Sequence, residues 1–304
     1  MKRILFTAIT LLALVFSLAA CNTAPSEKPN TNVPVLTTPT EGVIYEISSD
    51  GTYAEVNGYS GTAKRVIIGS EYKGLPVKSI GERAFNNNAT ITTVIIPESV
   101  TSIEDYAFVG CKDLTSVTIG DSVKSIGSSA FYYCSSLTSM TIPDSVTYIN
   151  DRAFFNCFGL TSVTIGNSVE FIGYYAFVGC KDLTSVTIGN SVTSIESSAF
   201  EGCSSLTSVT IPDSVTSIGK SAFSDCSSLT SVTIPDSVTS IGYGAFADCD
   251  SLTSVTFANT DGWWYSSSST ATRGISIPAE ELANPETAAR YLRSNYCGYY
   301  WFRS

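Results

Sequence analysis

Apolar side chains recur along this chain every 23 residues. The period is carried by a leucine column, with Ile91 one period earlier, by an isoleucine column, and by a phenylalanine column in which alanine precedes every member. The members are Leu114, Leu137, Leu160, Leu183, Leu206, Leu229 and Leu252; Ile80, Ile103, Ile126, Ile149, Ile172, Ile195, Ile218 and Ile241; and Phe85, Phe108, Phe131, Phe154, Phe177, Phe200, Phe223 and Phe246. Such a period indicates a stack of similar structural units.

One repeat reads L-x-x-V-x-I-[PG]-x-S-V-x-x-I-x-x-x-A-F-x-x-C-x-x. Val117 and Ile119 alternate with Ser116 and Thr118, and this period of two predicts a strand with one buried face. The Pro or Gly that follows ends the strand. The pattern around the isoleucine predicts a second, short extended segment, and the Ala-Phe stretch predicts one helical turn.

A single repeat is too small to fold alone. Burial of about seven apolar side chains contributes roughly 10–20 kcal/mol, whereas ordering the backbone costs about 1–2 kcal/mol per residue. Each copy must therefore cover the apolar flanks of its neighbours, which predicts a solenoid of parallel strands about 4.8 Å apart.

The repeat resembles the BspA-like leucine-rich repeats of bacterial surface proteins, through L-x-x-V-x-I and "SVTSIG..AF..C..L", over roughly residues 43–304. "GLPVKSIGERAF" (Gly74–Phe85) is similar to that family's divergent first repeat, and the terminal "YYWFRS" resembles its closing segment. The resemblance implies an α/β leucine-rich-repeat solenoid of horseshoe shape, with parallel strands on one face and short strands or helical turns on the other. It also implies a non-enzymatic binding or adhesion module whose ligands include host extracellular-matrix proteins.

The sequence divides into five segments. Residues 1–20 have a basic start and a short apolar run, typical of an export signal. Leu18-Ala19-Ala20-Cys21 resembles the lipobox of bacterial lipoproteins, which implies lipidation of Cys21; the alternative is an ordinary secretory signal. We expect a Pro/Thr-rich tether at 21–40, an N-terminal cap and divergent first repeat at 41–90, the repeat array at 91–257, and an aromatic-rich C-terminal cap at 258–304.

The composition of the chain argues against two classes of function, nucleic-acid binding and catalysis. The formal net charge is −10, and the chain contains no histidine. An acidic chain is a poor partner for nucleic acid, because that binding depends on clustered Lys and Arg. Without histidine the usual nucleophile-and-base arrangement cannot be assembled, so we expect neither an enzyme nor a cofactor.

Two columns of hydroxyl side chains alternate with the buried residues of the first strand. They form the candidate ligand face: Thr118, Thr141, Thr164, Thr187, Thr210, Thr233, Thr256, Ser116, Ser139, Ser162, Ser185, Ser208, Ser231 and Ser254. Their regular, uncharged surface suits hydrogen bonding to a protein or glycan. The alternative is that they only solvate the sheet, since threonine favours strands.

Two further columns have simpler interpretations. Cysteine occurs once per repeat, at Cys111, Cys134, Cys157, Cys180, Cys203, Cys226 and Cys249. We predict a buried, reduced ladder rather than disulfides between neighbours or a metal site, and Cys297 lies outside it. Acidic residues share the turn after the first strand, at Glu98, Asp121, Asp144, Asp213 and Asp236. This column is typical of turn chemistry, with a calcium site as the alternative.

The register ends after Phe257. Asn284-Pro285-Glu286 predicts a short helix to about Arg293, with Asn284 as N-cap. We expect the aromatic tail to cover the last repeat; the alternative is a carbohydrate platform of Trp263, Trp264 and Trp301.

Together these patterns favour an exported, lipid-anchored protein of the bacterial cell envelope, exposed at the surface and monomeric. It would bind an extracellular protein or glycan of a host matrix or neighbouring cell. The alternative is a structural envelope spacer or coat component without a dedicated ligand.

Overall fold

The computed structural model describes residues 38–304, which form a parallel-stranded solenoid of about nine turns. It opens with an antiparallel hairpin of β1 (Val43–Ile47) and β2 (Ala54–Tyr59). Strand β2 then pairs in parallel with β5 (Leu75–Ile80). Strand β3 (Arg65–Ile67) and the short β4 (Glu71–Tyr72) lie between them in the chain. This hairpin therefore covers the N-terminal flank of the first repeat.

The first repeat is longer than the others. Arg65 of β3 pairs with Thr93, which lies 28 residues later, whereas Ser79 of β5 pairs with Ser102, 23 residues later. Strand β4 pairs antiparallel with β5 and takes up the additional residues. The lengthened first repeat predicted from Gly74–Phe85 is thus built around a small hairpin.

The first strand of each later repeat has three or four residues, and its central side chain is buried. These strands are β6 (Thr93–Ile95), β8 (Ser116–Thr118), β10 (Ser139–Ile142), β12 (Ser162–Ile165), β14 (Ser185–Thr187), β16 (Ser208–Thr210), β18 (Ser231–Ile234) and β20 (Ser254–Phe257). Together with β3 they form three sheets of three strands each: β3-β6-β8, β10-β12-β14 and β16-β18-β20.

The second, shorter strands form the continuous sheet. They are β7 (Ser102–Ile103), β9 (Ser125–Ile126), β11 (Tyr148–Ile149), β13 (Phe171–Ile172), β15 (Ser194–Ile195), β17 (Ser217–Ile218) and β19 (Ser240–Ile241). With strands from both caps they make one 14-stranded sheet, in which each repeat pairs in register with the next. The uninterrupted backbone ladder therefore runs through the short second strands, although the alternating pattern in the sequence is clearer for the first strands.

Both breaks in the first set of strands fall where a repeat ending its strand with Gly is followed by one ending with Pro, at Gly120 to Pro143 and at Gly189 to Pro212. Glycine permits a close approach to the preceding turn. A Cβ added to Gly120 would lie only 2.7 Å from the Pro97 carbonyl oxygen. The step from Gly69 to Pro97 has the same residue types but keeps its strands paired, so the packing of the turns, and not the residue type alone, decides where the strands separate.

The predicted helical turn at Ala-Phe is wrong. The segment consists of turns in which the residue two before each phenylalanine has a positive φ, for example 58° at Tyr106 and 56° at Arg152. Phe108 N donates to the carbonyl oxygen of Ala130 in the next repeat, at 2.7 Å. In an α-helix it would donate to the carbonyl oxygen of the residue four positions earlier. Bonds between repeats thus replace the helical pattern.

The core is continuous from one cap to the other. The leucine, isoleucine and phenylalanine columns are buried throughout. Consecutive phenylalanine rings stack along the solenoid, with centroids 4.9–5.4 Å apart and planes within 9° of parallel. This spacing follows the distance between neighbouring strands, so each ring contacts those before and after it.

The C-terminal cap follows β20. It contains β21 (Trp263–Ser266), β22 (Ile275–Ser276), α1 (Ala279–Leu282), α2 (Pro285–Arg290), a π-helix at Tyr291–Asn295 and β23 (Tyr300–Arg303). The predicted helix at Asn284 is confirmed in its start, since the Asn284 side chain accepts a hydrogen bond from Thr287 N at 2.9 Å. Strand β23 pairs antiparallel with β19 and joins the cap strands β21 and β22 to the large sheet.

Candidate functional site

The fourteen hydroxyl residues of the candidate ligand face lie on the solvent side of the first strands. The seven threonines are all exposed, and the serines are exposed or half-buried. Within each sheet the residues pair in register, as Thr164 does with Thr141 and Thr187. Neighbouring hydroxyls of one column are therefore about 4.8 Å apart.

Hydrogen bonding separates this face from the other threonine columns. Thr138, Thr161 and Thr184, one residue after each leucine, donate through Oγ1 to the backbone carbonyl of the preceding repeat at 2.9–3.2 Å. Thr216 and Thr239, before the second strand, do the same at 3.1 and 3.3 Å. None of the fourteen hydroxyls of the ligand face bonds to another group of the described chain. They are free to bond water or a ligand.

This difference predicts different effects of removing hydroxyls. A Thr138→Val, Thr161→Val and Thr184→Val triple variant should lose about 1.5–4.5 kcal/mol of unfolding free energy, since each of the three net hydrogen bonds contributes about 0.5–1.5 kcal/mol. The matched variant Thr141→Val, Thr164→Val and Thr187→Val should change stability little, because valine suits an exposed strand position. Urea unfolding of both proteins checks the contrast. Equal losses would contradict the separation of the columns.

The ligand face is divided, because its strands form separate sheets. The breaks after β8 and β14 separate Thr118 from Thr141 and Thr187 from Thr210. Three consecutive strands in register are thus the largest unbroken unit. A ligand that reads regular spacing would contact one such unit of three strands.

The seven cysteines of the repeats are buried free thiols, in agreement with the predicted reduced ladder. Each donates through Sγ to the carbonyl oxygen of a phenylalanine in the preceding repeat, as Cys134 does to Phe108 at 3.1 Å. Burial raises the pKa of Cys157 to about 12. A protonated thiol in this environment is unreactive, so the ladder has a packing role.

Two of the five carboxylates after the first strand, Asp144 and Asp236, bond to the following turn. Asp144 Oδ1 accepts a hydrogen bond from Asn167 N at 2.7 Å, and Asp236 Oδ1 accepts one from Asn259 Nδ2 at 2.9 Å. Asp236 also pairs with Arg303 of the last strand. Within residues 38–304 no group of three or more His, Cys, Asp or Glu side chains is arranged to hold a metal ion. Asp144 and Asp236 therefore join successive turns.

The cap tryptophans have two different environments. Trp263 and Trp301 are each 1% exposed, and both pack on Phe257 of the last repeat. Trp264 is half-buried and stacks on Phe302, with ring centroids 4.6 Å apart. Two of the three rings proposed for a carbohydrate platform are thus inaccessible, and this arrangement fits a lid.

The sequence analysis missed a group of exposed aromatic residues near the middle of the array. Tyr148, Phe171, Tyr174 and Tyr175 are exposed, on the continuous sheet and the turns that follow it. They interrupt columns that are otherwise mainly serine or charged. A comparison of the repeats for non-consensus residues, in place of the search for shared ones, would have found them.

The predicted signal segment, Cys21 and nearly all of the tether lie outside the described residues. From residue 38 onward, no helix has both the length and the apolar character needed to cross a membrane.

Comparison with known proteins identifies the family. The profile of the BspA type leucine rich repeat region, in six copies, matches residues 74–184 and 153–262, more than half of the chain. A leucine rich cell surface protein from Faecalibacterium prausnitzii A2-165 is 32% identical, with a TM-score of 0.57, over 72% of this chain and 75% of that one. A leucine rich repeat protein from T. pallidum is 28% identical, with a TM-score of 0.56, over 71% and 90%. No curated protein matches the sequence. The chain therefore belongs to the BspA-type leucine-rich repeat family.

Proposed function

We propose that this protein is a lipid-anchored scaffold of the bacterial cell surface. It binds an extracellular protein or glycan through the candidate ligand face, here also called the hydroxyl face, and so contributes to adhesion. The main support for this proposal is that the fourteen hydroxyls have no hydrogen-bond partner within the described chain. Neighbouring threonine columns, in contrast, donate hydrogen bonds to the backbone. A partner with matching groups would exchange water for direct hydrogen bonds across the whole face.

Location and anchoring are further parts of the proposal. The similar protein from F. prausnitzii is described as a cell surface protein. Leu18-Ala19-Ala20-Cys21 resembles a lipobox, and acyl chains on Cys21 would hold the protein at a membrane with about 0.8 kcal/mol per buried methylene. The acidic chain offers no basic cluster to assist.

A plate-binding assay tests the ligand face. Residues 38–304 would be applied to immobilised fibronectin, fibrinogen, laminin and mucin glycans. In the variant Thr164→Arg with Thr187→Arg, two long charged side chains obstruct the middle unit of the face. We expect binding of the unmodified domain to at least one coated surface, and a loss of about tenfold or more for the variant.

The control places arginine elsewhere on the solenoid, as Ser128→Arg with Ser221→Arg. The turn columns of these serines already contain Lys220 and Arg152 in other repeats, so arginine is tolerated there. The control should bind like the unmodified domain. Failure of the unmodified domain on every surface, or equal binding by both variants, would instead support a spacer without a dedicated ligand.

A further inference from the structure

Two aromatic residues stand side by side on the outer surface of the continuous sheet. Tyr148 of β11 and Phe171 of β13 pair in register, with ring centroids 5.7 Å apart and planes within 3° of parallel. Tyr148 is 45% exposed and Phe171 is 37% exposed. We name these residues the aromatic pair. The other members of their column are serines: Ser79, Ser102, Ser125, Ser194, Ser217 and Ser240.

The serines leave the outer ring faces of the aromatic pair uncovered. Tyr148 pairs with Ser125 on one side, and Phe171 pairs with Ser194 on the other. Strands lie about 4.8 Å apart, and serine is much shorter than an aromatic residue. A space with the thickness of one ring therefore borders the pair on each side, with a serine at its base. A flat molecule placed there would continue the stack.

Polar groups surround this space. On a strand, residues two apart share a face, so Glu196 lies on the same face as Ser194 and Asn150 on the same face as Tyr148. Ser194 Oγ donates to Glu196 Oε1 at 2.7 Å, and Asn150 Nδ2 donates to the Ile126 carbonyl oxygen at 2.9 Å. The second carboxylate oxygen of Glu196 and the amide oxygen of Asn150 remain as acceptors.

Tyr174 adds a hydroxyl at the end of the pair. Its backbone N–H donates to Asp151 Oδ1 at 2.9 Å, which holds the residue at the turn after β13. The negative charge of Glu196 and a hydrogen bond between the two side chains raise the pKa of Tyr174, whose phenol is therefore a donor beside Glu196. The surroundings thus contain carboxylate and amide acceptors and a phenolic donor beside two bare ring faces.

The size of the apolar surface decides between ligand classes. An aromatic side chain presents about 150–250 Å² when fully exposed, so the aromatic pair offers about 150 Å² and Tyr174 about 100 Å² more. A stable protein interface needs about 800 Å² from each partner. The patch is too small and too polar at its edge for an interface of that kind, but it matches one or two sugar rings.

We propose that the aromatic pair is a carbohydrate-binding site, separate from the hydroxyl face, that takes neutral pyranose units of an oligosaccharide. The C–H face of one sugar ring stacks on Phe171 above Ser194, and its equatorial hydroxyls bond to Glu196 and Tyr174. The equivalent position on Tyr148 above Ser125 lies on the far side of both rings, about three strand spacings or roughly 14 Å away, so it takes a separate unit of the oligosaccharide and not the adjoining one. Apolar stacking with a few fixed polar groups is the general pattern of small-ligand sites.

The test is isothermal titration of residues 38–304 with neutral hexasaccharides of glucose, mannose, galactose and N-acetylglucosamine. We expect at least one to bind with a Kd at or below about 1 mM. The variant Tyr148→Ser with Phe171→Ser restores the residue found in the other six repeats, so it should fold normally. Its affinity for the same sugar should fall by about tenfold or more, because both stacking faces are lost.

Two controls make the result specific. Tyr243→Ser removes a comparably exposed tyrosine more than three repeats away and should leave sugar affinity unchanged. The hydroxyl-face variant Thr164→Arg with Thr187→Arg should also keep the sugar affinity of the unmodified domain. The proposal for the aromatic pair is therefore tested separately from the proposal for the hydroxyl face. Absence of binding to all four sugars at about 5 mM would overturn the proposal. So would equal affinity of the double serine variant, or concentration-dependent dimerisation in sedimentation that this variant abolishes.

Discussion

Alkaline pH is expected to unfold the solenoid between about pH 10 and pH 11, because of the buried cysteine ladder. Burial raises the pKa of Cys111, Cys157 and Cys249 from 9.0 to about 12. It moves the pKa of Cys134, Cys180, Cys203 and Cys226 in the same direction. The folded protein keeps these protons at a pH where the unfolded chain releases them.

The sign of the effect follows from this difference. Below pH 9 both states are protonated and the stability from thiol burial is fully present; above pH 9 the unfolded state binds fewer protons, so unfolding becomes more favourable until the folded thiols titrate near pH 12. At about pH 11, two pH units above 9, the burial of each thiol with a pKa of about 12 stabilises the folded protein by about 3 kcal/mol less than it does at pH 9. The combined effect of the three thiols is comparable with the stability of a whole domain.

Urea unfolding at a series of pH values measures this dependence. In Cys157→Ala one titrating group is absent, and the slope of unfolding free energy against pH between about 9 and 10, where the solenoid is still folded, should become less steep by about 1 kcal/mol per pH unit. Val169→Ala, which also shortens a buried side chain but removes no titratable group, should leave the slope unchanged. An unchanged slope in Cys157→Ala would show that the thiols are not the titrating groups.

The substitution Trp301→Ala is expected to destabilise the C-terminal end of the solenoid by about 3–5 kcal/mol, the usual cost of removing a large buried aromatic side chain. Trp301 pairs with Ile241 in the closing strand, and its ring stacks on Phe257 at 6.3 Å. Its indole Nε1 donates to the Tyr296 carbonyl oxygen at 3.1 Å. Loss of the ring would expose the apolar flank of the last repeat.

Trp264→Ala is the matched control, because the same residue type in the same cap is half-buried and contacts mainly Phe302. We expect it to cost about 1 kcal/mol. Hydrogen exchange should show faster opening of β20 and β23 in Trp301→Ala, with repeats near the N-terminal cap little changed, since solenoid units are coupled to their neighbours. Equal destabilisation by both variants would contradict the lid.

The repeat columns could be predicted from the sequence because they reflect a requirement of every turn. A buried position must be apolar in each copy, so the leucine, isoleucine and phenylalanine columns are visible as a period and are buried as expected. The helical turn at Ala-Phe could not be predicted correctly. Propensity within one repeat contains no information about hydrogen bonds to the next, and Phe108 N bonds to Ala130 of the next repeat.

The residues of the candidate ligand face could be predicted from the sequence, but their lack of hydrogen-bond partners within the chain could not. Threonines of three columns look alike in sequence, because the residue type is the same. Only the stacked backbone decides that Thr161 reaches a carbonyl of the preceding repeat while Thr164 faces solvent. The aromatic pair was hidden for the opposite reason, since a search for what repeats share passes over Tyr148 and Phe171.

The sequence by itself determined the period, the buried columns, the need for neighbouring copies and the start of the C-terminal helix at Asn284. The tertiary structure decided which strands form the continuous sheet, where the other sheet is interrupted, and which hydroxyls and rings stay free. The physical reason is that these features depend on distances between repeats. The polarity of a side chain is a property of one residue and can be read from the sequence. The separation of the strands that end at Gly120 and Pro143 depends on how two complete turns pack.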